Sequence, residues 1–300
     1  MIYKTYKIKL TLNIMIKKIG VLIDTTITND TNINGPCLIK VPSFILNKLG
    51  TYYLYFAHHH GKYIRMAYSD NICGPYMIFN GRVLSLDKCN GFDHVASPHV
   101  IIKNNKLLMY YHSYDKNKKN QITYQADSVD GINFVSVDDI IQYPYFSCFN
   151  YKTELYGVAM KIKSNQIIYN YNTNNNKFIE FCNLLPNTRH CFIKELNNKL
   201  YAFYSIVGDC PEHICYCELI FDGNNFIALI NNNKSLIYPE LEYEHGNMLP
   251  IKSKYGAEYN KINQLRDPYI YIENDIVYIL YTICGEQGIA IAIIHNQAFS

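Results

Sequence analysis

The sequence predicts an all-β protein that folds as a five-bladed β-propeller of four-stranded antiparallel blades. Short runs of β-branched and aromatic residues alternate with Asn, Asp and Gly, which is typical of strands joined in hairpins. One order of strand, turn and aromatic strand recurs five times along the chain, at intervals of roughly 45 to 80 residues. Apart from a short turn near residues 44–48, no stretch has a helical periodicity. Repeats of this length with several strands each are typical of propeller blades.

The clearest copy of the repeat covers residues 264–292. It begins with the polar entry Arg266-Asp267-Pro268, which leads into a first strand over residues 269–272. A turn separates this strand from an aromatic second strand over residues 276–283, and a third strand covers residues 288–292. The pattern predicts one propeller blade whose first strand opens on charged residues.

Four more copies share this order, and the one that begins at residue 144 is the weakest. They cover residues 35–67, 96–126, 144–171 and 189–217. Their second strands and that of the first copy centre on Tyr55, Tyr110, Tyr156, Phe203 and Leu280. Asp130-Gly131 and Asp222-Gly223 follow third strands, and Asp-Gly between strands is a strong hairpin signal. We therefore expect a propeller domain over residues 34–300.

Residues 1–33 are predicted to be an N-terminal extension and linker outside the propeller. The first 23 residues alternate Lys with apolar residues, and residues 24–34 are rich in turn formers. A further hypothesis places the true start at Met15. A long insert at residues 231–263 separates the fourth and fifth copies, and a loop of that length is usually functional or disordered.

Composition excludes several classes of partner. A net charge of +3 is too small to favour nucleic acid. No stretch approaches 18 apolar residues, and no signal peptide is recognisable, so we expect no membrane partner and favour the cytoplasm. The 10 cysteines contain no CxxC pair, so we predict neither a zinc site nor a disulfide framework, and no cofactor. The sequence leaves the oligomeric state open.

The blade entries are expected to meet around the central channel, because the inner strands of a propeller all begin there. These entries are Asn34-Gly35-Pro36, His94 with Ser97-Pro98, Pro144-Tyr145, Arg189-His190 and Arg266-Asp267-Pro268. Charged groups near a core need partners, so this pattern predicts a polar funnel. For the prolines alone, the alternative is that they keep the strand starts extended.

A second ring of polar residues follows the second strands. It contains His58-His59-His60, His112, Asp209 and Glu286, with Arg65 on an adjacent strand. Three consecutive histidines on a strand alternate between its faces, so they do not form one metal site. We predict no metal ligands here and give His59 a hydrogen-bonded or substrate-contacting role.

The order of the motifs resembles the five-bladed propeller superfamily of glycoside hydrolase family 43. The matching stretches are GPCLIKVPSF, YYLYFAHHHGKYIRMAYSD, DHVASPHV, TRHCFIKELNNKLYAFYSIVGDCPEHI, YPELEYEHG, QLRDPYIY and GEQGIAIA, which are distributed in order between residues 34 and 295. The resemblance implies a substrate pocket at one end of the channel. It also implies a glycosidase-like activity on a carbohydrate, which would be the partner.

The sequence departs from this family where the family places its catalytic Asp residues. Gly35 stands at the position of the blade-one base, and Ser97 at that of the Asp that orients the acid. An inverting glycosidase needs one acidic and one basic carboxyl group. We predict Asp267 as the base, because it opens blade five with Arg266 beside it to keep it ionised.

The predicted general acid is one of Glu240, Glu244 and Glu212. For Glu212 and Glu244 the alternative is a solvent-exposed side chain, and for Asp209 it is a turn carboxylate. The residues predicted to bind substrate are His59, Arg65, His94, Ser97, Arg189, His190, Asp209, Arg266 and Glu286. Two functions stay open, a glycosidase-like hydrolase and a catalytically silent carbohydrate-binding propeller.

Overall fold

A computed structural model describes residues 15–161, 165–230 and 234–295 of the chain. Five antiparallel sheets form the blades of a β-propeller, which confirms the predicted fold class. Each blade has four strands in its main path, and two short strands pair additionally on blades one and four. No helix in the described ranges is long and apolar enough to cross a membrane.

The strands of blades one to four follow the chain from the inner to the outer edge of each sheet. Blade one contains β2 (Asn34–Lys40), β3 (Tyr52–Ala57), β4 (Tyr63–Ser69), β5 (Met77–Ile78) and β6 (Leu84–Ser85). Blade two contains β7 (Ala96–Lys103), β8 (Lys106–Asp115), β9 (Asn120–Ser128) and β10 (Val135–Ile141). Blade three contains β11 (Ser147–Tyr151), β12 (Glu154–Lys161), β13 (Asn165–Asn172) and β14 (Lys177–Asn183). Blade four contains β15 (Thr188–Leu196), β16 (Lys199–Ile206), β17 (Ile214–Phe221), β18 (Phe226–Ala228) and β19 (Lys234–Ile237).

Blade five is closed by a strand from the other end of the chain. It contains β20 (Arg266–Glu273), β21 (Ile276–Ile283), β22 (Gly288–Ile294) and β1 (Ile16–Asp24). The antiparallel register pairs Ile16 with Ile294 and Asp24 with Gly288. The prediction that residues 1–33 lie outside the propeller is therefore wrong for β1, whose alternation of Lys and apolar residues is that of a strand. The hypothesis that Met15 is the start concerns residues 1–14, which lie outside the described residues.

A short helix and three tight turns show how the sequence fixes local structure. The helix α1 (Thr25–Thr28) begins after Asp24, whose side chain accepts hydrogen bonds from the backbone N–H groups of Thr26 and Ile27. The turns join inner and second strands, and both residues of each turn have positive φ: Asn104-Asn105, Asn197-Asn198 and Asn274-Asp275. Asn and Asp tolerate this left-handed geometry, which matches the twist of a two-residue hairpin.

A bulge near the start of the inner strand recurs in four blades. The register shifts by one residue between Asn34 and Cys37, Ala96 and His99, Thr188 and Cys191, and Arg266 and Tyr269. In three of these bulges the residue that follows the first paired residue has a positive φ, in the left-handed region. These residues are Gly35, Ser97 and Asp267. A bulge bends its strand and re-aims a side chain. The polar entry residues lie at these bulges, where the strands begin around the channel.

His99 lies below the entries, among buried aromatic side chains that include Phe192 and Tyr269. Its Nε2 accepts the backbone N–H of Cys148 at 3.0 Å, and its ring lies against Phe192 and Tyr269. Burial lowers the pKa of His99 from 6.5 to about 3. The imidazole is therefore neutral in the folded protein.

We expect His99 to make the fold sensitive to acid. Between pH 6.5 and about 3 the unfolded imidazole is protonated and the folded one is not, so stability falls as the pH falls. In His99→Gln, whose amide oxygen can accept the same N–H, this loss is removed. The difference in unfolding free energy between wild type and variant should change by about 1.4 kcal/mol per pH unit in this window. Urea titrations from pH 7 to 4.5 measure it, and parallel curves would contradict the assignment.

Candidate functional site

A small cavity of about 50 Å³ lies at the mouth of the channel, where the blade entries converge. Its lining comes from blade entries, from the ends of second strands and from the long insert. The lining residues are His59, Tyr145, Met160, Arg189, His190, Tyr255, Gly256, Asp267 and Glu286. Five of these nine were predicted as site residues from the sequence: His59, Arg189, His190, Asp267 and Glu286.

Asp267 is buried in the mouth, with both carboxylate oxygens in contact. Oδ2 accepts the backbone N–H of Gly35 at 3.3 Å and the hydroxyl of Thr282 at 3.1 Å. Oδ1 contacts Nδ1 of His190. Burial raises the pKa of Asp267, but its contacts with His190, together with Arg189, outweigh burial and hold the pKa below its usual range. The carboxylate reaches across to Gly35, at the position where the family resemblance expects an Asp.

Glu286 is a second buried carboxylate, and four side chains surround it. Oε1 accepts from Nη1 of Arg266 at 2.7 Å, and Oε2 accepts from the amides of Asn32 and Asn34 at 2.7 and 3.2 Å. Nδ1 of His59 lies 3.3 Å from Oε2. Burial raises the pKa of Glu286, but His59, Arg266 and Asn32 hold it far below its usual range. Glu286 therefore stays ionised and orients the His59 ring.

Glu212 is fully buried between two arginines, which overturns the alternative that it is solvent-exposed. Its carboxylate accepts from Nε and Nη2 of Arg189 at 2.7 and 3.1 Å, and from the Ser205 hydroxyl at 2.6 Å. Nε of Arg266 lies 3.3 Å away. The predicted role of Glu212 as general acid is not supported, because both of its oxygens already accept from cations. The geometry indicates that it positions the two guanidinium groups.

Glu240 and Glu244, the other two candidates for the acid, do not line the mouth. Glu244 is fully buried, and its Oε2 accepts from Lys18 at 2.7 Å and from the backbone N–H of Glu240 at 2.8 Å. Its Oε1 accepts the hydroxyl of Tyr281 at 2.8 Å. The Glu240 side chain is 68% exposed and pairs with Lys18 at 3.1 Å. Both acidic residues join the insert to β1, so the structure assigns them a structural role in place of the predicted one.

We expect substitutions of Glu244 and Glu240 to differ strongly in their effect on the free energy of unfolding. Glu244→Gln should destabilise the fold by about 3 kcal/mol, because it leaves the ammonium of Lys18 short of a buried partner. Glu240→Gln, the matched control, should stay within about 0.5 kcal/mol of wild type, since exposed ion pairs contribute little. Chemical denaturation measures both variants, and equal effects would contradict the structural role of Glu244.

The insert lies across the mouth through three backbone carbonyl groups. Nη2 of Arg189 donates to the carbonyl of Lys254 at 2.7 Å, and Nδ2 of Asn32 donates to that of Glu258 at 3.1 Å. Arg266 donates to the carbonyl of Gly256 at 3.4 Å. A 3-10 turn at Glu242–Glu244 precedes this segment. The insert is therefore part of the mouth.

Five residues predicted to bind substrate lie outside the cavity lining, and one of them, Arg266, contacts the lining residue Glu286. Nη1 of Arg65 lies 2.5 Å from Asp30, so this arginine ties the segment before β2 to blade one. His94 contacts Asp93 and packs edge-on against His112, with ring centroids 5.1 Å apart. Ser97 sits beside Gly35 deeper in the channel. Asp209 lies on blade four, 3.7 Å from His213.

Aromatic rings form one wall of the mouth. Tyr145 stands between His112 and His190, with ring centroids 4.3 and 4.2 Å away. Burial raises the pKa of Tyr145 and lowers that of His112, so both rings are neutral near neutral pH. Tyr255 from the insert adds an exposed ring, and neither it nor Tyr145 was predicted as a site residue. Tyr145 was identified only as part of a blade entry, and the fold alone brings Tyr255 to the mouth.

The other end of the channel opens into a larger cavity of about 1080 Å³. It is lined by the far ends of the inner strands, with Lys40, Lys103 and Lys194 among them. Among the residues that line this larger cavity, no buried carboxylate contacts an imidazole. The chemistry therefore points to the smaller cavity at the mouth.

Comparison with solved structures identifies the architecture. A thermostable family-43 glycoside hydrolase superposes with a TM-score of 0.58 at 16% identity, covering 88% of each chain. A family-43 enzyme from Xanthomonas citri complexed with xylotriose superposes with a TM-score of 0.63 at 11% identity, covering 92% of this chain and 90% of that one. The chain has the fold of the family-43 glycoside hydrolases.

Sequence comparison adds a viral relative. An uncharacterised protein of Acanthamoeba polyphaga mimivirus is 29% identical, with the match covering 88% of this chain and 84% of that protein. No family model matches the chain. The solved glycoside hydrolases therefore share the fold of this protein at only 11–16% sequence identity.

Proposed function

We propose that the protein is a carbohydrate-active hydrolase that cleaves a glycosidic bond in the mouth of the propeller. The observation that carries this proposal is a pair of carboxylate-backed imidazoles lining one small cavity. Nδ1 of His190 contacts Asp267, and Nδ1 of His59 lies 3.3 Å from Glu286. Acid–base hydrolysis needs two proton-transfer groups at one bond, and these two imidazoles provide them.

The carboxylates fix the orientation of each ring. Ionised carboxylates only accept hydrogen bonds, so Nδ1 of His190 and of His59 carries the proton. Nε2 of each ring is then the nitrogen that accepts or donates a proton. Asp267, predicted as the base, already accepts from Gly35 and Thr282 and contacts His190. We assign it the role of orienting His190 and stabilising the imidazolium that forms, as an Asp does in a hydrolase triad.

The charges of the buried cluster suit one acid and one base. Asp267, Glu286 and Glu212 face the guanidiniums of Arg189 and Arg266, which leaves one negative charge unbalanced. A single proton shared by the two imidazoles neutralises the cluster. In the proposed reaction the imidazolium protonates the leaving oxygen, and the neutral imidazole takes a proton from the attacking water.

The substrate class is supported by the fold and by the walls of the mouth. Solved family-43 structures with this fold include one complexed with xylotriose. Tyr145 and Tyr255 line the cavity, and the exposed ring of Tyr255 suits the apolar face of a sugar ring. We propose a carbohydrate as the ligand, bound between these rings and the polar groups of blades one, four and five.

A second candidate is a carbohydrate-binding propeller without turnover. Two observations favour it: Gly35 replaces the expected blade-one base, and the pKa values of Asp267 and Glu286 are both lowered. A glycosidase of the usual kind needs one carboxyl group whose pKa is raised. The two candidates differ only in whether the imidazoles move protons.

A hydrolysis screen on nitrophenyl glycosides and oligosaccharides, combined with thermal shift, separates the two candidates. The hydrolase proposal expects release of nitrophenol or shorter sugars by wild type. Stabilisation by a sugar without turnover would overturn it and favour the binding protein. If no sugar of the panel is hydrolysed and none stabilises the protein, the proposal that the ligand is a carbohydrate is overturned.

A further inference from the structure

Blade four carries a second cluster of chemically reactive side chains, apart from the mouth cavity. Asp209, His213 and Cys215 each offer one metal-ligating atom, and these atoms lie within 4.8 Å of one another. Asp209 belongs to the turn after β16, and Cys215 is near the start of β17. His213 and Cys215 are buried, whereas the Asp209 side chain is 31% exposed. The cluster is therefore open to solvent on one side.

The surroundings of His213 are those of a metal ligand. Its Nδ1 lies 3.0 Å from the carbonyl oxygen of Pro211 and donates to it, since a carbonyl only accepts. The unprotonated Nε2 then faces Sγ of Cys215 at 3.4 Å and Oγ of Ser235 at 2.9 Å. Ligating histidines usually donate their other ring N–H to a backbone carbonyl or carboxylate, which fixes the tautomer. Tyr238 stacks on the ring with a centroid distance of 4.0 Å and holds its plane.

The donor set selects the kind of ion. Thiolate, imidazole and carboxylate together suit zinc, whereas calcium and magnesium take oxygen ligands. Bonds of about 2.0–2.3 Å in a tetrahedral site put ligand atoms roughly 3.5 Å apart. The separation of 3.4 Å between Nε2 of His213 and Sγ of Cys215 fits this geometry. Oδ2 of Asp209 lies 3.7 Å from Nδ1 of His213, so this partly exposed side chain has to turn toward Nε2 to complete the site. We propose that Asp209, His213 and Cys215 bind one zinc ion, with a fourth ligand from solvent on the Ser235 side.

The site would brace the turn that holds Glu212. Glu212 lies in the sequence between Asp209 and His213, and its carboxylate contacts Arg189 and Arg266 of the mouth. Ser235 on β19 extends the cluster to the first strand of the insert. The role is structural and holds whether or not the mouth hydrolyses a substrate. The spacing of Asp209, His213 and Cys215 matches no CxxC-type motif, so no metal site was expected from the sequence.

Metal binding by the full-length protein tests the proposal. The protein is stripped with a chelator under reducing conditions, dialysed against zinc chloride and analysed by elemental mass spectrometry. We expect about one zinc per chain in wild type. Cobalt in place of zinc should give the thiolate charge-transfer band and the visible bands of a tetrahedral site. At zinc concentrations about 100-fold above Kd the melting temperature should rise by about 4 °C.

Three variants make the result specific. Asp209→Asn, at a partly exposed position, should weaken zinc affinity about 10- to 100-fold while the melting temperature of the zinc-free protein stays near that of wild type. Cys215→Ala should abolish the cobalt charge-transfer band. Cys217→Ala is the control, because Cys217 is a buried thiol on the same strand outside the cluster. Substoichiometric zinc in wild type, or a charge-transfer band that survives in Cys215→Ala, would overturn the site.

Discussion

Replacing His190 by Gln is expected to lower kcat for the best glycoside substrate about 10²- to 10⁴-fold, the range of a lost proton-transfer group. The Gln side chain keeps a similar length and can still donate to Asp267, so the mouth should keep its shape. KM should change by much less than kcat, because the imidazole acts on the transition state more than on substrate binding. Steady-state kinetics on the wild type and the variant measure the effect.

Asp267→Asn should lower kcat by a comparable factor, about 10³-fold or more. The amide of Asn can donate to Nδ1 of His190, which would move the imidazole proton to Nε2 and place it on the wrong nitrogen. His245→Gln is the control, because His245 contacts Met248 in the insert and does not line the mouth. If both His190→Gln and Asp267→Asn keep the kcat of wild type, His190 and Asp267 do not take part in the proposed proton transfer.

The largest effect on stability is expected for Glu212→Gln, at about 3–5 kcal/mol of unfolding free energy. The neutral amide leaves the buried guanidiniums of Arg189 and Arg266 without their shared anion. Removing one member of a buried ion-pair cluster is costly because Arg189 loses its paired carboxylate and Arg266 keeps only Glu286.

Glu218→Gln is the matched control for Glu212→Gln, since Glu218 lies on β17 and is only partly buried. It should change stability by no more than about 0.5 kcal/mol. Urea unfolding of both variants at pH 7 gives the comparison. Equal stability of the two variants would contradict the view that Glu212 anchors the arginines.

The regular parts of the fold could be read from the sequence because they depend on local patterns. The Asn-Asn and Asn-Asp pairs between strands become two-residue turns with positive φ, and the aromatic runs become the second strands. The entry residues Arg189, His190 and Asp267 meet as expected, since every inner strand of a propeller begins at the channel. These predictions needed only strand periodicity and the symmetry of the repeat.

What the sequence did not reveal depends on partners that are distant along the chain. Nothing local in β1 indicates that it pairs with β22. Glu212 and Glu244 both looked solvent-exposed or catalytic, yet each is buried against cations supplied by other elements. The insert covers the mouth through backbone carbonyl groups, which carry no signal in the residue types. Burial of a charge is decided by the fold, so it could not be derived from spacing.

The pH dependence of hydrolysis tests the pair of imidazoles most directly. Asp267 and Glu286 have lowered pKa values and remain ionised through mildly acidic conditions, so they should add no limb to the profile of kcat/KM between pH 5 and 8. We expect a bell-shaped profile for wild type, and loss of one limb in each of His59→Gln and His190→Gln. A bell that persists unchanged in both variants would contradict acid–base catalysis by the two imidazoles.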